Sequence, residues 1–261
     1  MSGVFAVVVA HPDDEAFSWA GSVALHADEP GFRFVLVHAT RGEAGDIRPG
    51  FPATRATLGA IRQAESEAAW RAVGRRPDRH EWLGYPDGRL ADIPTEELTD
   101  RIAEILDAER PDVVAGFGPD GITAHPDHIA VGAATDAAFS RLARSGGPGF
   151  RRLLHHVLPQ SVFDRWQQQR RDLNLPVFDP GKRYHGRGVP DEQVHLVVDC
   201  DAVSERIVAG ILEHRSQLHV MADEPVDEYR LQRIVRREWA TVAWPPRSPT
   251  EPVLTDVFED L

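Results

Sequence analysis

Seven apolar residues in an unbroken row, Val4–Ala10, run straight into His11-Pro12-Asp13-Asp14-Glu15. An apolar run of this kind, with no polar residue alternating through it, reads as a strand buried on both faces, which belongs in a parallel sheet covered by helices. The remainder of the chain keeps the same rhythm. Short β-branched runs at Phe32–Ala39, Val113–Phe117, Leu153–Leu158 and Val194–Val198 alternate with segments of helical period at Thr54–Val73, from Thr95 onward, from Asp127 to about Arg144, and at Ser204–Leu218. Thr95 with Glu96 and Glu97 behind it marks a helix start, and Leu98, Ile102, Ile105 and Leu106 form its buried stripe. The expectation is an α/β fold, a mostly parallel sheet with helices on both faces.

At 261 residues the chain is read as one domain, residues 1–261. Two stretches break the alternation. Pro159–Gln193 is rich in Arg, Gln and Pro with little periodicity, and reads as a lid or substrate-facing insertion. Pro245–Leu261 carries several prolines and reads as a tail lying on the surface.

Charge and composition narrow the function classes. With 29 Lys+Arg against 41 Asp+Glu the net charge is −12, which argues against a nucleic-acid backbone as partner. No apolar stretch is long enough for a membrane span, and the N-terminal apolar run lacks the basic segment and cleavage site of a signal peptide. The single cysteine, Cys200, fits a reducing compartment, so a cytoplasmic protein is expected. Nothing in the sequence excludes a homo-oligomer.

Two segments carry chemistry. His11-Pro12-Asp13-Asp14-Glu15 follows the first strand, and His125-Pro126-Asp127-His128 lies beyond Val113–Phe117. Ligands of open α/β sheets sit outside the carboxyl ends of the strands, so both segments should meet at one rim. Imidazole and carboxylate are donors that suit zinc, and a catalytic zinc takes three protein ligands and leaves one position open. His11 and Asp14 at i, i+3 with His128 can form such a triad, leaving Asp13, Asp127 and His125 beside it for proton transfer. Either segment alone would be an ordinary turn or an isolated HxxH. Their joint placement at two strand ends makes coincidence the poorer account.

Ala10–Glu15 with Gly121–His128 resembles the PIG-L-type (LmbE-like) N-acetylglucosaminyl deacetylase family. Supporting segments are Thr40-Arg41-Gly42-Glu43, Arg62-Gln63-Ala64-Glu65, Pro190-Asp191-Glu192 and His214-Arg215-Ser216-Gln217, so the resemblance spans most of residues 4–218. It implies a Rossmann-like zinc amidohydrolase, with one Zn2+ per chain, that removes an N-acyl group, acetyl foremost, from an amino-sugar-containing small molecule. In that pattern His11, Asp14 and His128 hold the zinc and Asp13 is the general base. His125, protonated, stabilises the oxyanion and assists the leaving amine, while Asp127 orients His125. Arg62 and Asp87 bind sugar hydroxyls, and Glu43 and His214 complete the substrate-side candidates. Trp166, in the insertion, is the tryptophan that best suits sugar stacking, and His185 lies in the same stretch. One departure stands out: Thr123 occupies the place where relatives acting on mycothiol-type substrates carry a tyrosine, so a phenol contact is absent or comes from elsewhere.

Two rival readings remain open at this level. One is an amidase of the same mechanism acting on a thiol conjugate or a glycosylated natural product. The other is a catalytically silent member that binds metal or ligand, against which stands the presence of both Asp13 and His125. A dinucleotide-dependent oxidoreductase is disfavoured, since no G-x-G-x-x-G follows the first strand.

Overall fold

The computed structural model describes residues 3–222, 225–248 and 250–261. In chain order its elements are β1 (Val4–Val9), α1 (Asp14–Ser18), α2 (Ala20–Leu25), β2 (Arg33–His38), α3 (Arg55–Val73), β3 (Arg79–Trp82), α4 (Thr95–Glu109), β4 (Val113–Phe117), α5 (Gly121–Ala124) and α6 (Pro126–Ser145). They continue with β5 (Arg152–His156), α7 (Gln160–Asp172), β6 (Leu196–Asp199), α8 (Ser204–Glu213), α9 (Leu218–Met221), α10 (Glu228–Ile234) and β7 (Arg237–Trp244). The strands form one sheet in the order β3-β2-β1-β4-β5-β7-β6. The first five run parallel, and β7 lies antiparallel between β5 and β6. This is the mostly parallel α/β sheet expected from the sequence.

Burial explains the apolar runs. Phe5 through Val9 in β1 and every residue of β4 are buried, as strands covered on both faces must be. On α4, Leu98, Ile102, Ile105 and Leu106 are buried as the stripe required, and Arg110, in the left-handed region at φ 48°, closes the helix before Pro111. The face that helix α3 buries includes the polar residues Arg62, Glu65 and Ser66, of which Arg62 reaches Asp13.

Four expectations need correction. The insertion is not irregular throughout, because its first part is the helix α7. There Val162 and Phe163 are buried beneath an outer face of Gln and Arg that masks the period. The helix read as Ser204–Leu218 stops at Glu213, and Leu218 begins a separate turn, α9. The C-terminal stretch is a surface tail only in part: residues 250–253 are exposed, but Leu254, Val257 and Phe258 enter the core, and the Phe258 ring meets Phe5, His26 and Phe32 edge-on. Finally β3 and β7 are strands that the reading above passes over. β7 alternates buried Glu238, Ala240 and Val242 with less buried neighbours, a period of two that the sequence does carry.

Candidate active site

β1 is where the strand order reverses, with β2 and β3 on one side of it and β4 and β5 on the other. Such a switch point opens a crevice beyond the strand ends. The chain leaving β1 turns sharply, and Asp13 adopts φ 106°, a conformation disfavoured for any residue with a Cβ. The approach to α6 is strained too: Gly121, Ile122 and Ala124 all have positive φ, which for a β-branched residue such as Ile122 is a marked outlier. Strain of this kind persists where the surroundings over-determine it, and it clusters at functional sites.

These two turns bring together the candidate ligands. Nε2 of His128 lies 3.3 Å from Nδ1 of His11 and 3.2 Å from Oδ1 of Asp14, and His11 Nδ1 lies 3.5 Å from Asp14 Oδ2. Metal–ligand bonds of roughly 2.0–2.1 Å in a tetrahedron put ligand atoms about 3.3–3.4 Å apart, so the three donors suit a divalent ion. The far side of His11 agrees. Its Nε2 lies 2.9 Å from Asp87 Oδ1 and 3.3 Å from Asp127 Oδ2, carboxylates that hold the proton on Nε2 and leave the Nδ1 lone pair facing the triad. Although burial opposes it, hydrogen bonds to Asp127, Asp14 and Asp87 raise the His11 pKa well above its ordinary value. The pocket thus favours positive charge, which a divalent cation supplies.

Asp13 stands beside the triad. Burial, reinforced by the charges of Asp14 and Glu15, raises its pKa to about 7, against the opposing pull of Arg62. Arg62 Nη2 donates to Asp13 Oδ2 at 3.1 Å and to the Pro12 carbonyl at 2.7 Å, and its Nη1 donates to the Gly42 carbonyl at 2.7 Å. A carboxylate titrating near neutrality is poised to take and return a proton.

His125 differs from the expectation. It is the N-cap of α6, and its Nδ1 accepts from the Asp127 backbone N–H at 3.1 Å. Burial, followed by the neighbouring His11 and His128, lowers its pKa to about 4. Both facts describe a neutral imidazole that carries its proton on Nε2, not the protonated partner anticipated above. Asp127 touches His125 through this backbone N–H, while its side chain is engaged elsewhere. Its carboxylate is fully buried, accepts from Gly88 N at 2.8 Å and Leu90 N at 3.1 Å, and reaches His11 rather than His125.

The substrate-side candidates divide. Arg62 and Asp87 line the cavity of about 800 Å3 over the triad. Asp87 is engaged twice over, with His11 and by accepting from Ala44 N at 2.7 Å, and despite burial its bond to His11 holds its pKa down to about 2. Glu43 lies off the cavity and accepts from Asp87 N at 3.0 Å, so it supports that loop. His214 does not reach the cavity either: it caps α8 and is wholly buried. His185 also stays out, its Nδ1 accepting from Asp179 N within the insertion. Trp166 does line the cavity.

The sequence reading missed Gln217, Phe163, Trp239 and Tyr184, all of which line the same cavity. Tyr184 answers the Thr123 departure. Its backbone N–H donates to the Thr123 carbonyl at 2.8 Å, and its ring meets His125 edge-on with centroids 5.0 Å apart. The insertion therefore delivers an aromatic ring to His125.

Comparison with known proteins agrees with this geometry. The family model described as PIG-L, GlcNAc-PI de-N-acetylase, matches residues 6–139, a span holding both acid/His segments. A 1D-myo-inositol 2-acetamido-2-deoxy-alpha-D-glucopyranoside deacetylase of Mycobacterium sp. (strain KMS) is 31% identical, over 83% of this chain and 74% of its own length. The chain belongs to the PIG-L family. It is accordingly an amidohydrolase. Among solved structures, the N,N'-diacetylchitobiose deacetylase of Pyrococcus horikoshii superposes with a TM-score of 0.59 at 22% identity, over 92% of this chain and 84% of that one. GalB of Pseudomonas putida KT2440, a 4-carboxy-2-hydroxymuconate hydratase, gives 0.64 at 17% identity, over 95% and 98%. These likenesses establish the fold, and the hydratase shows that the fold alone does not select the reaction.

Proposed function

We propose that this member of the family is a zinc-dependent N-deacetylase acting on an amino-sugar-containing small molecule. The observation that carries the reading is the adjacency of Asp13, with its pKa near neutrality, to the His11, Asp14 and His128 donors inside one cavity. A bound divalent ion supplies acidified water and a polarised carbonyl. The protein's own groups do the rest. Asp13 accepts the proton of the attacking water, and Arg62 keeps its carboxylate aimed at the cavity. The neutral His125 offers its Nε2–H to the oxygen on which charge develops, a contact whose loss typically costs 10²–10³ in rate. Asp13, rather than His125, then returns the proton to the departing amine, because a neutral imidazole is a weak acid while a carboxyl group near pKa 7 gives its proton up readily.

The substrate class is supported by relatives named as GlcNAc–inositol deacetylases and by a polar side of the cavity, where Asp46, Asp87, Arg62 and Gln217 can meet hydroxyls. The cytoplasmic setting is supported by the lone, buried Cys200. Among the described residues, no helix is long and apolar enough to cross a membrane. Amine release from N-acetylglucosamine and its glycosides, by wild type and by Asp13→Asn, tests the proposal. The expected result is release by wild type and loss in the variant with metal retained; an equally active variant would remove Asp13 from the mechanism.

A further inference from the structure

Asp13 is gripped from two directions. Its carboxylate takes the Arg62 guanidinium, and its main-chain N–H donates to Oε2 of Glu15 at 3.1 Å. The second contact bears on the backbone at the point where φ reaches 106°. A residue with a Cβ leaves that conformation unless neighbouring groups over-determine it.

Glu15 is itself held at both oxygens. Oε1 accepts from Ser66 Oγ on α3 at 3.1 Å, and Oε2, besides the Asp13 N–H, lies 3.1 Å from Nε2 of His38. A carboxylate has only acceptors to offer, so His38 carries a proton on Nε2 and donates it. At the far edge of the ring, Nδ1 of His38 lies 2.9 Å from Nε2 of His80 on β3. The Trp82 ring stacks on the His38 face, with centroids 4.4 Å apart and planes 11° from parallel. The imidazole is thereby fixed at both edges and across one face.

His38 ends β2 after the apolar run Phe34–Val37, and its side chain is wholly buried, as is that of Glu15. Neither residue lines the cavity, and the deacetylation chemistry touches neither. A buried imidazole and a buried carboxylate need partners to offset the loss of water, whereas an apolar pair would pack at these positions without any. What the two jointly hold is the main-chain N–H of the general base.

We propose that His38, acting through Glu15, is a positioning residue for Asp13: it fixes the carboxylate that locks the main chain of Asp13 in its left-handed turn and so aims the Asp13 side chain at the attacking water. The proposal rests on the deacetylase reading for what Asp13 does, and on the hydrogen bonds for how Asp13 is held.

His38→Gln and His38→Met test it. The two side chains are nearly equal in length and volume, and Gln alone keeps an N–H that can reach Glu15. Loss of ring packing is common to both, so their difference reports the donor. His38→Met should lower kcat about 10–100-fold with KM and metal content unchanged, while His38→Gln stays within about threefold of wild type. If His38→Met does not fold, His38→Asn takes its place, since the shorter amide keeps a partner for His80 and none for Glu15. Added to Asp13→Asn, His38→Met should change the residual rate little, because a base already removed cannot be misplaced. Wild-type kcat in His38→Met, an equal fall in Gln and Met variants, or a full multiplicative loss on top of Asp13→Asn would overturn the proposal. Hydrogen exchange of the Asp13 main-chain N–H, followed by NMR without substrate, separates the two claims. Exchange should be faster in His38→Met than in wild type and His38→Gln. That pattern with no amine release by wild type would refute the deacetylase reading and leave the clamp on Asp13 standing, whereas equal protection in all three proteins would refute the clamp.

Discussion

The floor of the cavity and its outer wall are held in different ways. Each floor residue is tied by several specific hydrogen bonds: Asp127 by two backbone donors, Asp87 by the Ala44 N–H, Arg62 by two carbonyls and Asp13. The insertion that forms much of the outer wall is tethered through backbone links at the Thr123 loop and at its own base. Tyr184 and Arg187 donate backbone N–H groups to Thr123 and Ile122, and Gln160 and Val189 close the base of the loop. Groups that move protons need fixed positions within fractions of an ångström, while a wall that reads a substrate's shape tolerates adjustment. The difference teaches where to expect chemistry and where to expect specificity.

The largest effects should come from the floor. Asp13→Asn is expected to lower kcat by 10²–10⁴ while the protein keeps its metal, and His128→Ala to lose both activity and metal; kinetics paired with metal analysis check this. Loss of metal in Asp13→Asn would make Asp13 a ligand and redraw the triad. Asp87→Asn should come next. It weakens the hold on the His11 ring, and a 10–100-fold fall in metal affinity or activity is expected, read by competition with a chelator. An unchanged affinity would mean that Asp127 alone orients His11.

Tyr184→Phe probes the border between the two regions. Here the expected fall in kcat is roughly tenfold, since His125 already faces the developing charge; a fall of 10²–10³ would move Tyr184 into the catalytic floor. The smallest effect is on stability, not rate. Glu238 of β7 is buried and accepts from Gly21 N, Ser22 N and Ser22 Oγ, and burial raises its pKa to about 7. Between the unfolded value of about 4.5 and 7 the folded protein holds a proton that the unfolded chain releases, so stability falls as pH rises through that window, by about 3 kcal/mol at most. Glu238→Gln should flatten the change in Tm between pH 5 and 8; an unaltered slope would assign that dependence to other groups.

The floor was largely legible in the sequence, and the wall was not. Val4–Ala10 announces a doubly buried strand because burial on both faces removes alternation, and the segments after β1 and β4 stand out because Pro and acidic residues directly follow apolar runs. Their meeting follows from strand order, a rule of α/β sheets. What the sequence concealed is contact made at long range. Asp127 sits one residue from Pro126 and two from His125, yet its carboxylate serves His11, 116 residues away. His125 was expected to be charged from its nearby carboxylates, but burial and the N–H it accepts at its own helix start outweigh them. His214 looked like a substrate contact because it lies in a motif; the end of α8 turns it into the interior instead. In the insertion, polar residues cover the outer face of α7, so only Val162, Phe163 and Trp166 betray the helix. Tyr184 carries no pattern at all, and only the docking of residues 184–187 on the Thr123 loop brings it to His125.

The most direct test of the central claim is metal content and amine release measured on the same preparation, before chelation, after it, and after zinc is restored. The account predicts about one zinc per chain, deacetylation that disappears with the metal, and recovery on zinc addition. Full amine release by a metal-free protein would contradict it.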